Sequence, residues 1–221
     1  DTAQNIEAMK IDAVVMRHPT PGAPLHLTEF IDAVIINAGD GTHEHPTQAI
    51  LDMMSLHEKF GKLKGLKIGI VGDITHSRVA LSNIHGLITM GAEITLCGPP
   101  NLIPKYIRDL GVKVNYKIDE VIEWADALNI LRIQKERMGL GLVPSTREYR
   151  SMFGITQERI TSHKKEIIIM HPGPINRGVE IDGTVADSDQ AIILDQVLNG
   201  VASRMAILYL LCGVQTNDER D

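Results

Sequence analysis

"LKIGIVGDITHSRVALSNIHGLITMGAEITLCGP", residues 66–99, contains two apolar runs separated by a helical pattern. It opens with the almost wholly apolar run "LKIGIVGD", which is typical of a parallel strand covered on both faces. "HSRVALSNIHGLITMG" then predicts a helix that ends at Gly91, and the next apolar run, "AEITLCGP", predicts another strand. A strand, a helix and a strand in this order predict two parallel strands joined by a right-handed crossover.

The same alternation runs through the rest of the chain. We predict strands at 12–18 ("DAVVMRH") and 32–39 ("DAVIINAG"), a short helix before Ile31, and a helix from Pro46 to Gly61. Further on we predict helices in "PKYIRDLG", "IDEVIEWAD", "REYRSMFG" and "TQERITSHKK", strands in "VKVNYK", "ALNILRI" and "EIIIMHPGP", and a long C-terminal helix or helix pair. The predicted fold class is α/β, with two doubly wound parallel-sheet domains, the first of them partial, in three α/β/α layers.

The polar segment "KFGKLKG" indicates a domain boundary. We expect a partial first domain at 1–61, a second domain at 62–185, and C-terminal helices at 186–221 that return to the first domain. The first ten residues, "DTAQNIEAMK", contain no initiator Met and read as a helix already under way. We therefore expect that a segment before Asp1 is missing from this sequence.

Composition limits the classes of function. The chain has 221 residues, 43% of them hydrophobic and 23% charged, which is an ordinary globular mixture. A net charge of −6 argues against a nucleic-acid partner. No apolar run is long enough to span a membrane and no signal peptide precedes the first strand, so we expect a cytoplasmic protein. Cys97 and Cys212 are expected to be buried free thiols, although a disulfide or a catalytic thiol stays open.

Cationic side chains gather where the predicted strands end. In sheets of this kind, ligands bind outside the carboxyl ends of the strands. The residues found there are Arg17, His18, His45, Thr47, Gln48, Asp73, Thr75, His76, Arg78, Arg132, Gln134, Lys135, Glu136, Arg137, His171, Pro172, Gly173 and Arg177. So many Arg and His residues at strand ends of an acidic protein indicate a cationic pocket for an anionic ligand.

Several of these residues have a plainer interpretation. Arg17 could form a surface ion pair, His43 could be a solvated turn residue, and His45 could simply cap the helix that begins at Pro46. Glu44 would disturb an anion site, so we expect it to point away. "HEH" does not predict a zinc site, because its spacing differs from that of a metal-binding helix and no cluster of Cys or carboxylates supports it.

Two further motifs point in different directions. "GIVGD" resembles half of a dinucleotide fingerprint, but the third glycine is absent and no acidic strand end lies at the right distance, so we do not expect a nicotinamide cofactor. "RIQKER" places Arg132 at a strand end beside Gln134, and this pair suits bidentate recognition of a carboxylate.

Four separated motifs, "NAGDGTHEHPTQAILD", "GDITHSRVALSN", "LRIQKER" and "MHPGPINRGVEI", together resemble the catalytic chains of the aspartate carbamoyltransferase family. The resemblance covers essentially the whole chain, with the motifs in the family's order. The "HPTQ" element is shared with ornithine carbamoyltransferases. Those enzymes would show "HCLP" where this chain has "HPGP", and an "SMG" loop that is not found here. The resemblance therefore implies aspartate as the acceptor.

The resemblance implies a role for each matching residue. Arg17 and His45 would hydrogen-bond the carbonyl oxygen of carbamoyl phosphate. Its amino group would be bound by Gln48 and by the backbone carbonyls of Pro172 and Gly173. The carboxylates of aspartate would be bound by Arg78 and Arg132 with help from Gln134, and Glu136 and Arg137 would belong to a loop that orders when the domains close.

The family resemblance also implies a place in pyrimidine biosynthesis, no metal or organic cofactor, and a homotrimer with active sites at subunit interfaces. A regulatory chain or dihydroorotase is a possible partner. Two of the family's elements are not found here: the phosphate-binding "STRT" motif and a Ser/Lys loop lent by a neighbouring subunit. The only "STR", at 145–147, is expected to begin a helix. A non-catalytic homologue or fragment that binds dicarboxylates or serves in assembly is therefore the alternative.

Overall fold

The computed structural model describes residues 1–133, 145–163 and 166–213. A first, two-stranded parallel sheet is formed by β1 (Ala13–His18) and β2 (Val34–Asp40). Helix α1 (Thr2–Glu7) precedes β1, and the short helix α2 (Ala23–Leu27) connects the two strands. The pair is in register from Ala13 opposite Val34 and shifts before His18, which lies opposite Asp40.

Helix α3 (Pro46–Phe60) leads from the first sheet to the second. Pro46 lies in its first turn, and Gly61 closes it with a φ of 72°, a conformation that glycine adopts at little cost. Both predicted ends of this helix are confirmed. His45 is the residue that immediately precedes the helix, so the start of α3 also sets the place of His45.

The second sheet contains five parallel strands in the order β5-β4-β3-β6-β7. Its elements in chain order are β3 (Lys67–Val71), α4 (Arg78–Thr89), β4 (Glu93–Cys97), β5 (Lys113–Val114), α5 (Ile118–Trp124), β6 (Ala127–Ile130), α6 (Thr146–Phe153), α7 (Gln157–Ser162) and β7 (Ile168–Met170). The crossover predicted from residues 66–99 is confirmed, because β3 and β4 pair in parallel around α4. The predicted α/β fold class is confirmed with it.

Hydrophobic clusters cover both faces of the second sheet. Ile68 and Ile70 of β3 face one cluster, while Val71 faces the other together with Leu128 and Ile130 of β6. This burial on both sides explains why these strands are almost wholly apolar. None of the helices in the described ranges is long and apolar enough to cross a membrane.

The described residues after β7 contain a short helix, α8 (Gly183–Ala186), and a long one, α9 (Ile193–Cys212). The predicted C-terminal helix is thus a single helix that packs against α3. Asn199 of α9 donates to Ser55 Oγ at 3.0 Å and to Glu58 Oε2 at 2.6 Å.

Some predictions of local structure were wrong. "PKYIRDLG" forms only a 3₁₀ helix at Ile107–Leu110, preceded by another at Pro100–Leu102, and α8 was not predicted. Prolines at 99, 100 and 104 remove three N–H donors there, and Gly111 ends the segment with a φ of 85°.

Cys97 and Cys212 are both free thiols, but only Cys97 is buried, and burial raises its pKa to about 12.

Candidate active site

A cavity of about 610 Å³ opens where strand ends of both sheets meet the first turns of α3 and α4. It is lined by Arg17, Gly41, His45, Gln48, Asp73, His76, Ser77, Arg78, Val79, Leu131, Arg132, Pro172, Gly173 and Pro174. Seven of the eight predicted site residues are among them, and the eighth, Gln134, lies outside the described residues. The structure thus brings the predicted residues together, while what each one binds stays a prediction.

Each element contributes its residue from a fixed position. Arg17 is the penultimate residue of β1, His45 precedes α3, and Arg78 is the first residue of α4. Arg132 follows β6, and Pro172 follows β7. Lys135, Glu136 and Arg137 lie outside the described residues. Arg177 does not line the cavity, because its guanidinium pairs with exposed Asp187 at 2.6 and 2.7 Å.

Two smaller openings adjoin the cavity. One, of about 430 Å³, shares Arg17, Gly41 and Arg78 with it and continues along the loop after β1. The other, of about 310 Å³, shares Arg17 and His45, and adds Arg204 of α9 among mostly apolar side chains. Arg17 therefore lies at the junction of all three openings.

His45 is held in place by its backbone, which leaves its ring available to the cavity. Its N–H donates to Ser82 Oγ at 2.8 Å, and its side chain makes no capping hydrogen bond to α3, so the interpretation of His45 as a simple cap is not supported. Its Nδ1 lies 3.4 Å from Thr47 Oγ1. Burial and the nearby positive charges of Arg78, Arg204 and Arg17 lower the pKa of His45 to about 4. The ring is therefore neutral at pH 7, and only one of its nitrogens carries a proton to donate.

Gln48 is almost wholly buried, and its amide is oriented by a carboxylate behind it. Gln48 Nε2 donates to Asp52 Oδ1 at 3.0 Å, and Asp52 is fully buried. Because the nitrogen faces Asp52, the amide oxygen of Gln48 is the atom left to accept a hydrogen bond from a ligand in the cavity.

Arg78 reaches from α4 of the second sheet to the turn after β2. Its Nη1 donates to the carbonyl of Gly41 at 3.2 Å. Gly39 leaves room for this side chain, because a Cβ on Gly39 would lie 2.8 Å from Arg78 Nε, and Gly39 also has a φ of 119°. Gly39, the first glycine of "NAGDG", thus leaves space for an arginine that lies 39 residues further along the chain.

Arg132 lies just beyond the end of β6, between two buried residues, Leu131 and Ile133. Asn176 of the loop after β7 donates from Nδ2 to the carbonyl of Ile133 at 2.9 Å. This bond joins the strand end that carries Arg132 to the loop that carries Pro172 and Gly173.

Asp40 organises the turn that leads to His45. Burial alone would raise the pKa of its carboxyl, but hydrogen bonds from Asn37, the Gly22 N–H, His43 and the Glu44 N–H together lower it to about 2. His43 is half exposed at 53% and lies 3.1 Å from Asp40, which fits a turn residue. Glu44 contacts the Ser82 hydroxyl and does not line the cavity, as expected.

Two polar cavity residues beyond the predicted site form a pair. Asp73, just after β3, accepts from the backbone N–H of His76 at 3.0 Å and lies 2.9 Å from its ring Nδ1. The sequence predicts their place at a strand end, but no spacing rule predicts that they form a pair. The "STR" segment begins a helix as predicted, since Ser145 Oγ caps α6 by accepting from the Glu148 N–H at 3.0 Å.

No group of side chains in the described residues has the arrangement of a metal site.

Two family models match this chain in sequence. Residues 1–58 match the carbamoyl-P binding domain of aspartate/ornithine carbamoyltransferase, and residues 64–211 match the Asp/Orn binding domain of the same family.

Individual relatives agree with these models. The aspartate carbamoyltransferase catalytic subunit of Christiangramia forsetii is 60% identical over 96% of this chain, and that of Gemmatimonas aurantiaca is 58% identical over 96%. These matches span 68% and 67% of the relatives' lengths.

Solved structures show the same likeness. Aspartate transcarbamoylase from Trypanosoma cruzi in complex with carbamoyl phosphate is similar with a TM-score of 0.84 at 30% identity, over 95% of this chain and 68% of that one. The catalytic subunit of M. jannaschii aspartate transcarbamoylase gives a TM-score of 0.83 at 35% identity, over 99% of this chain and 72% of that one. This chain belongs to the aspartate/ornithine carbamoyltransferase family.

Proposed function

We propose that this chain transfers the carbamoyl group of carbamoyl phosphate to the amino group of L-aspartate, which gives N-carbamoyl-L-aspartate and phosphate. One observation carries the proposal: Arg17, Arg78 and Arg132 converge with His45 on a single cavity of an acidic protein. Both substrates are anions that repel each other, and a cationic cavity offsets this repulsion and holds the amine against the carbonyl carbon. The relatives named above, which are aspartate carbamoyltransferases, support the same activity.

The carbamoyl group fits the first-sheet side of the cavity. Arg17 and His45 supply donors for the carbonyl oxygen. Gln48 supplies an acceptor for the amino group, because its amide nitrogen is already bound to Asp52. The backbone carbonyls of Pro172 and Gly173 are the further acceptors in this proposal.

The acceptor substrate fits the opposite side, where Arg78 and Arg132 would bind the two carboxylates of aspartate and Gln134 would assist. Arginine is suited to this role because its planar guanidinium pairs with carboxylates through two parallel hydrogen bonds. Ornithine carries a cationic side chain, which these two arginines would repel. The "HPGP" sequence at 171–174, in place of "HCLP", agrees with aspartate as the acceptor.

The reaction would proceed through a tetrahedral intermediate. The amine nitrogen of aspartate attacks the carbonyl carbon, a C–N bond forms, and negative charge develops on the carbonyl oxygen. Arg17 supplies a fixed positive charge there, and neutral His45 supplies one N–H donor, which typically stabilises such an oxyanion by about 3 kcal/mol. The C–O bond to phosphate then breaks, and the phosphate leaves with the amine proton.

The proposal includes the setting of the enzyme. Residues 1–61 would form part of the carbamoyl-phosphate domain, 62–185 the aspartate domain, and 186–221 helices that return to the first domain, as the contact of α9 with α3 supports. A cytoplasmic homotrimer in pyrimidine biosynthesis is the expected assembly, with each active site completed by a neighbouring subunit.

A colorimetric assay for carbamoyl-aspartate on the protein produced from its complete gene tests the activity. Arg132→Ala should raise the KM for aspartate and lower kcat by orders of magnitude, while binding of carbamoyl phosphate changes little. A protein that binds aspartate without forming carbamoyl-aspartate would support the alternative of a dicarboxylate-binding module. Aspartate kinetics that are unchanged in Arg132→Ala would contradict the role given to Arg132.

A further inference from the structure

Asp52 is a fully buried carboxylate that receives hydrogen bonds from four side-chain amides of four different elements. Gln48 of α3 and Gln196 of α9 donate to its Oδ1 at 3.0 and 2.7 Å. Asn83 of α4 and Asn129 of β6 reach its Oδ2 at 2.8 and 3.2 Å. Packing alone does not require a carboxylate at this position, because an apolar side chain would fill the same space without the cost of desolvating a charge.

Other neighbours fix which end of the Gln196 and Asn83 amides faces Asp52. The Gln196 Oε1 accepts from the backbone N–H of His171 at 2.9 Å, so the Gln196 nitrogen must face Asp52. The Asn83 Nδ2 also donates to the carbonyl of Val79 at 3.1 Å, so it too is a donor towards Asp52. Burial raises the pKa of Asp52, and the four amide hydrogen bonds oppose that rise because they stabilise the ionised form.

Gln48 is the one of these four amides that lines the cavity. If its amide turned over, its oxygen would face Asp52 Oδ1, and two partially negative atoms would lie about one hydrogen-bond length apart. Asp52 therefore holds the Gln48 nitrogen inwards and turns the oxygen to the cavity.

A second path leads from Asp52 to the loop after β7. Gln196 links the Asp52 carboxylate to the His171 backbone, and the His171 ring accepts from the Gly173 N–H at 2.8 Å. Because the His171 and Gly173 N–H groups are both engaged inside the protein, the loop offers the cavity its carbonyls and not these donors. Both paths from Asp52 thus end in hydrogen-bond acceptors.

We propose that Asp52 is a positioning residue that orients two groups of acceptors towards the carbamoyl amino group, Gln48 directly and the Pro172–Gly173 backbone through Gln196. This inference rests on the proposed function, since it concerns the carbamoyl end of that substrate. An –NH₂ group has two hydrogens to donate, whereas a methyl group of the same size has none. Asp52 thereby makes the cavity selective for carbamoyl phosphate over acetyl phosphate, which differs from it only by a methyl in place of the amino group.

Calorimetric binding of carbamoyl phosphate and of acetyl phosphate tests this selectivity without requiring turnover. In Asp52→Ala, the Kd for carbamoyl phosphate should rise by about tenfold, which corresponds to one lost hydrogen bond to a polar group, while the Kd for acetyl phosphate changes less than about twofold. Equal weakening of both ligands would mean that Asp52 is merely structural and would overturn the proposal.

Asn199→Ala is the matched control, because Asn199 is also a buried amide of α9 that bonds α3 but has no link to the cavity. It should lower thermal stability and leave the ratio of the two Kd values unchanged. If Asp52→Ala does not fold, Gln196→Ala takes its place. A smaller loss of selectivity in that variant supports the proposal, and an unchanged ratio overturns it. The carbamoyl-aspartate assay on the unmodified protein is run in parallel, so that a failure of the proposed function is seen separately.

Discussion

Asn176 Nδ2 donates a 2.9 Å hydrogen bond to the carbonyl of Ile133, the residue that follows Arg132. Asn176 is itself held by Glu180, a wholly buried carboxylate that accepts from both its backbone N–H and its side-chain nitrogen. The strand end that carries Arg132 is thereby fixed to the loop that carries Pro172 and Gly173. In the proposed reaction these two segments would hold different substrates, so this bond would set the distance between them.

Asn176→Ala should therefore weaken aspartate binding, although Asn176 itself is not assigned a contact with either substrate. The Ile133 carbonyl would lose its partner, and the neighbouring Arg132 would no longer be held in one position. We expect the KM for aspartate to rise by roughly tenfold, since small displacements of substrate-binding groups have effects of this size or larger. Steady-state kinetics with each substrate varied in turn provide the measurement, and the KM for carbamoyl phosphate should change much less.

Arg177→Ala is the control for Asn176→Ala. Arg177 is the next residue in the chain, but its guanidinium is exposed and pairs with Asp187 at the surface. A surface pair of this kind contributes little, so both KM values should stay close to those of the unmodified protein. If Arg177→Ala raised the KM for aspartate as much as Asn176→Ala, the effect would belong to the loop as a whole and not to the bond with Ile133.

The sequence was sufficient to predict α3 and the convergence of cationic residues, because both depend on local signals. Pro46 and Gly61 determine the ends of the helix, and side chains at the ends of parallel strands meet at one edge of a sheet. The four-amide arrangement around Asp52 could not be predicted, since Gln196 lies 144 residues away in sequence. Nor could the room that Gly39 leaves for Arg78, because nothing in the local pattern shows which side chain will approach a glycine.

His45→Ala should lower kcat by roughly a hundredfold, the effect of losing one donor to a developing oxyanion. Because the pKa of His45 is lowered to about 4, the ring stays neutral throughout the physiological range. The ratio of kcat between the unmodified protein and the variant should therefore be constant from about pH 6 to pH 8. pH profiles of kcat for the two proteins give this ratio. A ratio that grew as the pH fell through the ordinary histidine range would show that the charged ring is the active form.

Asp40 should contribute stability at neutral pH that is lost in acid. Its pKa is lowered to about 2 from 3.8, so the ionised form is favoured by folding. Its contribution is present above about pH 4 and is lost as the pH falls towards 2, with a full size of about 2 kcal/mol. Asp40→Asn should lower the free energy of unfolding at pH 7 and flatten its fall in that acidic range. Urea unfolding at several pH values measures both effects.

Asp109 is exposed, and Asp109→Asn therefore serves as the control for Asp40→Asn. It should leave both the free energy of unfolding and its pH dependence close to those of the unmodified protein, since a surface substitution away from specific contacts changes stability little. An equal acid profile for Asp40→Asn and the unmodified protein would mean that the four hydrogen bonds to Asp40 do not favour its ionised form.

Gly39 is expected to act on aspartate binding through Arg78. In Gly39→Ala, the added Cβ would lie 2.8 Å from Arg78 Nε, which is closer than a Cβ normally approaches another heavy atom, and 3.0 Å from Cζ. The guanidinium would have to move away from the Gly41 carbonyl that now fixes it. The positive φ of 119° adds backbone strain that any residue with a Cβ would feel there.

The effect of backbone strain and the effect of displacing Arg78 can be separated by comparing Gly39→Ala with Gly111→Ala. Gly111 also has a positive φ, of 85°, but a Cβ there would meet nothing within 4 Å among the described residues. Both variants should lose thermal stability, by roughly 1 kcal/mol or more each from the backbone term. Only Gly39→Ala should raise the KM for aspartate, because only there does the new methyl group displace a side chain of the cavity. Thermal unfolding and aspartate kinetics on both variants measure the two effects, and a KM that is unchanged in Gly39→Ala would show that Arg78 can adjust its position without loss of binding.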